Sequence, residues 1–247
     1  MLGRRTDLGD TMGGFAGLKP LLKQRTGFYL HMNYFRLIAD MLHLFSFFVL
    51  IWKIRTNRSC AGISLKTQIL YAVVFVSRYM DLLWNWHSTY LVIMKLIFIS
   101  STFYIIYLIA FQYRHKYDKK NDQLPTYYLI IPCIVLALIA HQRFTFWEVL
   151  WAFSIYLEAV AIIPQLMLLT KTGSVDTITS HYVFCLGGYR ALYILNWIWR
   201  FFTEPNYSQW IVWIAGLVQT GLYCDFFYHY VLSVRQGTAM ELPEINI

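Results

Sequence analysis

Charged residues are scarce in this chain: they account for 14% of its 247 positions, while hydrophobic residues account for 58%. A soluble domain of this length usually has nearer a quarter of its residues charged, so the composition argues against a soluble globular protein. The positive mean hydropathy of +0.46 favours an integral membrane protein instead. The length allows roughly six to eight spanning helices of about 20 residues each, which leaves almost nothing for a soluble domain.

Several patterns that indicate other functions are missing. The four cysteines lie far apart without C-x-x-C or metal-ligand spacing, so we predict neither a disulfide framework nor a metal site. The sequence offers no nucleophile–base pair, which argues against an enzyme, and we expect no cofactor. A net charge of +8 suggests a polyanionic partner in a soluble protein. In membrane proteins, however, Lys and Arg collect in cytosolic loops, so we expect no nucleic-acid partner.

The N-terminal residues 1–31 lack the basic region, apolar run and cleavage site of a signal peptide. They are predicted to form a flexible extension, or to be absent if translation begins at Met32. The membrane domain is predicted over 32–232 and a cytosolic tail over 233–247, in which Arg235 is the one basic residue.

Seven apolar stretches predict the spanning helices, at about 33–53, 66–84, 91–112, 126–142, 146–170, 180–202 and 209–232. A six-span alternative arises if the fourth and fifth stretches form one interrupted unit. Lys and Arg gather in the loops after the first, third and fifth stretches, whereas the loops at 85–90 and 203–208 contain neither. The positive-inside rule therefore predicts a luminal N-terminus and a cytosolic C-terminus, although the basic residues within 1–31 oppose this orientation.

Ionisable side chains inside the apolar stretches are the strongest functional signal. Each costs about 3 kcal/mol at a helix centre, so such residues normally face a polar interior. They comprise four arginines, five acids and one histidine: Arg36, Arg78, Arg190, Arg200, Asp40, Asp81, Glu148, Glu158, Asp225 and His43. Internal salt bridges are the plainer interpretation of the three aspartates. Guanidiniums in a cavity also bind carboxylates, so the residues alone allow both an anion transporter and a peptide-carboxylate receptor.

His43 shares one face of the first helix with Arg36 and Asp40, because the three are spaced i, i+4 and i+7. A lone helix histidine is more often an ordinary core residue. Beside tyrosines, arginines and Glu158 it also suits a proton sensor, since the histidine side chain titrates near the pH range of the secretory pathway. Pro164 in the fifth stretch predicts either a simple kink or a hinge.

Six segments occur in an order that resembles the KDEL receptor family, from Met32 to about Tyr230. They are Met-Asn-x-Phe-Arg-Leu at 32–37, Arg-Ser-Cys-Ala-Gly-Ile-Ser at 58–64, Arg-Tyr-x-Asp at 78–81, Tyr-Leu-Glu-Ala-Val-Ala-Ile-Ile-Pro-Gln-Leu at 156–166, Gly-Tyr-Arg-Ala-Leu-Tyr-Ile-Leu-Asn-Trp-Ile-Trp-Arg at 188–200 and Tyr-Cys-Asp-Phe-Phe-Tyr at 223–228. The segments at 64–68 and 202–205 resemble the plant-like branch. The resemblance implies an all-α polytopic membrane fold of seven transmembrane helices. They would form two three-helix bundles plus a linker helix, similar to sugar and PQ-loop transporters.

The resemblance also implies a function. The implied protein is a pH-dependent receptor. It would bind the C-terminal KDEL or HDEL tetrapeptide of escaped luminal proteins in the Golgi and return these proteins to the endoplasmic reticulum. The receptor would reside in endoplasmic-reticulum and cis-Golgi membranes among membrane lipid, use the proton as its coupling ligand, and meet vesicle coat proteins through its cytosolic tail. The alternative is a sugar or amino-acid transporter on the same fold, although a neutral sugar has no use for the arginines.

Residue roles follow from the same resemblance. Seven residues are implied to bind the ligand: Arg36, Arg78, Tyr79, Glu148, Trp151, Trp197 and Arg200. Arg78 would pair with the free carboxylate of the cargo and Arg36 with the glutamate of the signal. Arg200, together with Trp197, would meet the aspartate.

The remaining implied roles concern the start of the signal and the closure of the pocket. Glu148 would hold the first residue of the signal, a Lys or His, and Trp151 would add a cation–π contact. Asp81 matches a position linked to signal specificity. The pH-sensing and closing network is implied to comprise His43, Glu158, Tyr189, Arg190 and Tyr193.

Overall fold

The computed structural model describes residues 33–83, 89–204, 209–238 and 240–243 of the chain. Nine α-helices form nearly all of it: α1 (Tyr34–Asn57), α2 (Leu65–Arg78), α3 (Thr89–Tyr107), α4 (Tyr127–Ile139), α5 (Phe146–Val160), α6 (Ile163–Thr172), α7 (Thr177–Thr203), α8 (Trp210–Leu222) and α9 (Cys224–Gln236). Short 3₁₀ helices lie at Met80–Leu83 and Arg114–Lys116, and α3 continues as a π-helix over Leu108–Gln112. The all-α prediction is therefore confirmed for the described residues, while the predicted extension 1–31 lies outside them.

Side-chain caps fix where four of the helices begin. Each capping oxygen accepts a hydrogen bond from a backbone N–H of the first turn, which otherwise has no partner within the helix. The capping residues are Asn33 for α1, Ser64 for α2, Thr145 for α5 and Asp176 for α7. The turn after α6 passes through Gly173, whose φ of +68° is a conformation that glycine adopts without steric cost.

Apolar helices of membrane-spanning length account for much of the structure. By length and composition, three helical segments qualify: Tyr34–Asn57, Thr89–Gln112 and Phe146–Thr172, the last of which joins α5 and α6. The pair α8 and α9, bent by 43° at their junction, qualifies as one broken span. Large hydrophobic side chains such as Phe48, Phe103 and Ile139 are half or more exposed, which suits a surface that faces lipid. The described chain is thus that of a helical membrane protein, and the count of seven spans stays a prediction.

The predicted fifth span, 146–170, contains the break that Pro164 suggested. The helix is interrupted at Ala161 and Ile162, and Pro164 takes a position in the first turn of α6. Proline lacks an N–H group, so the carbonyl one turn earlier loses its helical partner and the helix breaks there. Gln165, the next residue, uses its side chain to hold the start of α2.

Two long interfaces relate the halves of the chain: α1 packs along α7, and α2 packs along α5 and α6. On one, Lys53 of α1 bonds to the Thr179 hydroxyl of α7 and lies 3.5 Å from Asp176. On the other, Gln165 of α6 accepts from the Ser64 N–H at 2.8 Å, and the Gln165 N–H donates to the Thr67 hydroxyl at 3.0 Å.

The two contacts are formed by corresponding positions in the two halves of the chain. Lys53 and Gln165 are 112 residues apart, and so are Thr67 and Thr179. This is the relation expected of a duplicated helical unit. The same spacing relates Arg78 to Arg190, the two arginines that meet in the core.

The chain end folds back on the loop between α6 and α7. Strand β1 (Ser174–Val175) pairs antiparallel with β2 (Met240–Glu241), and the Leu242 N–H donates to the Gly173 carbonyl at 2.8 Å. Met240 and Leu242 are both buried. Part of the predicted tail, 233–247, is therefore ordered: α9 runs on to Gln236, and 240–243 packs against the end of the bundle.

Candidate functional site

A buried carboxylate between two guanidiniums forms the centre of the site. Glu158 of α5 is 3% exposed. One carboxylate oxygen lies 2.5 Å from a terminal nitrogen of Arg78, and the other lies 2.5 Å from a terminal nitrogen of Arg190. The Tyr189 hydroxyl donates to the second oxygen at 2.8 Å. We call these four residues the arginine–glutamate cluster, and it draws together α2, α5 and α7.

Arg78 ends α2, and its guanidinium reaches α5. Its Nε donates to the Ser154 hydroxyl at 3.1 Å and one terminal nitrogen donates to the Ser154 carbonyl at 3.0 Å. With the bond to Glu158, three of its five N–H groups are engaged within the described chain. One N–H on each terminal nitrogen remains, which is the arrangement that a second carboxylate can bind.

His43 of α1 lies against this cluster. Its ring stacks on Tyr189 with centroids 4.0 Å apart and planes 9° apart, and it stacks on Phe98 of α3 at 4.7 Å. His43 is buried, and its Nε2 has no hydrogen-bond partner among the described residues. The charges that act on it most are those of the cluster, from α2, α5 and α7. His43 thus lies beside Tyr189 and the charges of the arginine–glutamate cluster, and its role as a proton sensor stays a prediction.

One turn before His43, Asp40 organises a second polar group. It accepts hydrogen bonds from the hydroxyl of Tyr90 on α3, at 3.0 Å, and from the hydroxyl of Tyr193 on α7. These two hydrogen bonds connect α1 to α3 and α7. Arg36 lies one further turn toward the start of α1, half-buried, so α1 presents Arg36, Asp40 and His43 on one face as the sequence predicts.

The second half of α7 supplies a ladder of aromatic and basic side chains. The Arg190 guanidinium lies over the Tyr189 ring at 5.3 Å and over the Trp197 ring at 5.9 Å. Trp197 packs so closely on α8 that a Cβ at Gly216 would overlap its indole. Arg200 forms a bidentate pair with Glu204, with both N···O distances at 2.9 Å.

The remaining predicted site residues lie near the ends of α2 and α5. Asp81 forms an ion pair with Lys95 of α3 at 2.6 Å, and the Lys95 ammonium lies over the Tyr79 ring at 5.6 Å. Glu148 and Trp151 lie on the stripe of α5 that carries Glu158, toward the start of the helix, where they are partly exposed. Within the described chain, Glu148 has no ion-pair partner.

Three residues of the site were missed by sequence reasoning. Ser154 orients Arg78, Lys95 neutralises Asp81, and Tyr90 holds Asp40. Lys95 carried a usable signal, because it is a charge inside the predicted span 91–112. Ser154 and Tyr90 carried none, since either residue type is ordinary in a membrane helix.

The electrostatic balance of the cluster defines what it can bind. Arg78 and Arg190 contribute two positive charges and Glu158 one negative charge, so the buried cluster has one cation in excess. A buried charge without a counter-charge is costly, and an incoming carboxylate would relieve that cost. Fold and site together define an all-helical membrane protein with a polar, positively charged centre suited to an anionic ligand.

Comparisons with known proteins agree with this class. The sequence pattern of the ER lumen protein retaining receptor family matches residues 59–200. The chain is 53% identical over 214 residues to ER lumen protein-retaining receptor B of Arabidopsis thaliana, and equally to the receptor of Petunia hybrida; both alignments cover 86% of this chain and the relative's full length. It is 48% identical over 212 residues to the Drosophila melanogaster receptor, with the same coverage. The chain therefore belongs to the ER lumen protein-retaining receptor family.

Family membership confirms the prediction made from the six ordered segments. It also confirms that the chain is a receptor and not an enzyme. Relatives from two plants are among these proteins, in line with the plant-like features at 64–68 and 202–205. The arginine–glutamate cluster draws on Arg78, Glu158 and Arg190, all of which lie within the region that the family pattern matches.

Proposed function

We propose that this receptor binds the acidic C-terminal KDEL or HDEL tetrapeptide of escaped luminal proteins and returns them from the Golgi to the endoplasmic reticulum. The family supports the retention role, since the relatives are named ER lumen protein-retaining receptors. The observation that carries the proposal is the excess positive charge of the arginine–glutamate cluster. A tetrapeptide ending in Asp-Glu-Leu brings three carboxylates, including its free C-terminus, to such a centre.

Arg78 is the anchor for the free C-terminal carboxylate. Ser154 and Glu158 hold its guanidinium in place, while one N–H on each terminal nitrogen is left for the ligand. A carboxylate bound by both nitrogens gains two charge-assisted hydrogen bonds, and a lysine at this position cannot form that pair.

Further ligand contacts extend along the two faces that flank the cluster. Arg36 of α1 meets the glutamate of the signal, and Arg200 with Trp197 of α7 meets the aspartate. For Arg200 this requires that the signal's aspartate replace Glu204 or share the guanidinium with it, since Glu204 occupies it in this structure. Toward the start of α5, Glu148 and Trp151 receive the Lys or His that begins the signal.

Closure of the pocket rests on residues that link separate helices. Tyr189 and Arg190 join α7 to Glu158, and Tyr193 joins α7 to Asp40 of α1. Asp81, tied to Lys95, sets the charge beside Tyr79 and so affects which signals are accepted.

Proton coupling follows from the place of His43. A proton on His43 adds a positive charge next to a cluster that already has one in excess. Bound acidic peptide offsets this charge, so the peptide favours the protonated histidine, and the protonated histidine favours the peptide to the same extent. Cargo is therefore taken up at the lower pH of the Golgi and released at the higher pH of the endoplasmic reticulum.

The membrane arrangement that serves this cycle has seven spans. They form two three-helix bundles joined by α4 as a linker, the plan of sugar and PQ-loop transporters. The common register of the α1–α7 and α2–α6 contacts supports it. The positive-inside rule places the N-terminus in the lumen and the C-terminus in the cytosol, where vesicle coat proteins meet the tail. The transporter alternative is not favoured, because the relatives are receptors.

A retention assay tests this function. In cells that lack their own receptor, this chain should keep a luminal reporter ending in HDEL or KDEL inside the cell. The same reporter extended by one glycine should be secreted. Arg78→Lys should weaken signal binding at least about tenfold and release the reporter, because a lysine loses the bidentate contact.

Arg114→Lys is the matched control, since Arg114 is an exposed arginine of the short 3₁₀ helix after α3. It should retain the reporter as well as the unaltered chain does. Retention of the glycine-extended reporter, or full retention by Arg78→Lys, would contradict the proposal.

A further inference from the structure

A second positively charged site lies at the other end of the bundle. A cavity of about 610 Å³ opens between the end of α1 and the turn that follows α3, lined by Arg55, Arg58, Gln112, Tyr113, His115 and Lys116. This volume is within the range of small-ligand pockets. Arg55 follows His43 by 12 residues on α1, roughly 18 Å along the helix axis, so the cavity is separate from the arginine–glutamate cluster.

The cavity carries cations without counter-ions. Arg55, Arg58 and Lys116 line it, and no carboxylate does. None of the three forms an ion pair with any acid in the ranges that the structure describes. The two acids of the adjoining loop are engaged elsewhere: Asp118 bonds to Asn121, and Asp122 bonds to Ser64 and Tyr117.

Both walls of the cavity have irregular backbone. Arg58 has a φ of +47° and is the one non-glycine residue with positive φ in the described chain. The opposite wall follows the π-helix Leu108–Gln112, where the Tyr113 N–H bonds to the Leu108 carbonyl at 2.8 Å. Arg58 ends α1 in the left-handed conformation that commonly terminates a helix, and π-helical turns are frequent at functional sites. Arg58 and Tyr113, which follow these two segments, both line the cavity.

The loop behind the cavity is firmly held. The Tyr117 hydroxyl donates to Asp122 at 2.6 Å, and Asp122 is buried against the start of α2. The Tyr117 hydroxyl is protonated at neutral pH in any case, and burial and the hydrogen bond to this carboxylate raise its pKa further, so the contact persists there. The thiol of Cys60 also donates to the Tyr113 carbonyl at 3.3 Å. Lys116 is thus presented from an anchored loop.

The surroundings place the cavity at the headgroup level of a membrane. Trp52, Tyr107 and Phe111 are all at least half exposed, and each lies within five residues of Arg55 or Gln112. Exposed aromatic residues are typical of the membrane–water interface. The basic loops 53–66 and 113–120 are the ones that the positive-inside rule assigns to the cytosol, and the cytosolic leaflet is the one rich in anionic lipid.

We propose that this cavity binds the headgroup of an anionic phospholipid of the phosphorylated-inositol class. Its phosphates pair with Arg55, Arg58 and Lys116, and its acyl chains lie along Phe111 and Tyr107. Three cations around one cavity suit a headgroup with several phosphate charges better than a single carboxylate or phosphate. Basic pockets between helices on the cytosolic side are a recognised form of lipid-headgroup site. The receptor would thereby respond to the lipid composition of the membrane it occupies.

Direct lipid binding tests the proposal. Full-length receptor in nanodiscs is titrated with fluorescent short-chain phosphatidylinositol 4-phosphate, and with phosphatidylserine for comparison. The triple variant Arg55→Gln, Arg58→Gln, Lys116→Gln should bind the inositol lipid at least about tenfold more weakly. The triple variant Arg114→Gln, Lys119→Gln, Lys120→Gln removes the same charge from exposed positions outside the cavity lining, and it should bind within about threefold of the unaltered chain.

Competition experiments distinguish binding of an inositol-lipid headgroup from binding of free phosphate. Soluble inositol 1,4-bisphosphate should displace the lipid, and inorganic phosphate at the same concentration should not. Equal loss of binding in both triple variants would reduce the effect to diffuse surface attraction and overturn the proposal. So would equal affinity for phosphatidylserine, or displacement by inorganic phosphate. If the cavity triple variant is unstable, Arg55→Gln alone replaces it and should weaken binding about threefold.

Tetrapeptide binding is measured in parallel on the same cavity variants. It should be unchanged, because the cavity lies apart from the arginine–glutamate cluster. Loss of lipid binding with intact peptide binding is therefore specific to this site. Failure of peptide binding in the unaltered chain would count against the proposed function alone.

Discussion

Replacing Glu158 by glutamine should destabilise the receptor by about 3–5 kcal/mol. The carboxylate pairs with both Arg78 and Arg190 at 2.5 Å and is 3% exposed. Glutamine has the same shape but no charge, so the buried guanidinium of Arg190 and the largely buried one of Arg78 would share a site without a compensating negative charge. The expected result is a large fall in the melting temperature of the purified protein in detergent.

Glu148→Gln is the matched control. It makes the same chemical change on the same helix, at a half-buried carboxylate without an ion-pair partner in the described chain. Its melting temperature should change by an amount typical of surface substitutions, within about 0.5 kcal/mol. Equal shifts for the two variants would show that the cluster does not hold the helices together.

Replacing His43 by phenylalanine should remove the pH dependence of signal binding. Phenylalanine keeps the stack on Tyr189 and Phe98 but cannot take up a proton. The unaltered receptor should bind an HDEL peptide at least about tenfold more tightly near pH 5.5 than near pH 7, a ratio within the usual range of coupling between two ligands. The sign follows from charge: the proton favours the bound acidic peptide, so affinity rises as the pH falls.

In the variant, the affinities at the two pH values should agree within about twofold, and both should resemble that of the unaltered receptor at the higher pH. His181→Phe is the control, because His181 is exposed and its ring bonds to the Tyr230 hydroxyl. It should keep the full pH dependence. Acid-stimulated binding that survives in His43→Phe would assign the proton to another group.

The sequence predicted the helical membrane class and the family, for physical reasons that are visible in particular segments. Long apolar stretches such as 91–112 satisfy their backbone groups internally and so become helices in lipid. Arg78, Glu158 and Arg190 stood out because charge inside such a stretch is costly, and the structure brings all three into one cluster. Pro164 was expected to give a kink or a hinge in the fifth stretch, and the structure has a break in the helix at Ala161 and Ile162, just before this proline.

The exact ends of the helices and the ion-pair partners of the charged residues were harder to predict from the sequence. The stretch 66–84 predicts one helix, yet α2 ends at Arg78 and a 3₁₀ turn follows at Met80–Leu83. That end is set by tertiary contacts, since Arg78 turns to Ser154 and Asp81 is tied to Lys95, and hydropathy does not encode them. A charge in a membrane helix indicates that it has a partner without indicating which one.

The three aspartates, interpreted from the sequence as salt-bridged residues, differ in their contacts. Asp81 pairs with Lys95 at 2.6 Å, whereas Asp40 accepts hydrogen bonds from Tyr90 and Tyr193. Asp225 lies 3.8 Å from His229 and its side chain is largely exposed. Local spacing identifies the pair on one helix, since Asp225 and His229 are at i and i+4. Pairs between helices depend on packing that one sequence does not reveal.

The most direct test of the account is the binding of a free-acid HDEL peptide beside the same peptide with an amidated C-terminus, measured on the purified receptor near pH 5.5. Arg78 is proposed to bind the terminal carboxylate through both terminal nitrogens, and an amide cannot take that place. The free acid should therefore bind at least about tenfold more tightly than the amide. Equal affinities for the two peptides would contradict the carboxylate mechanism.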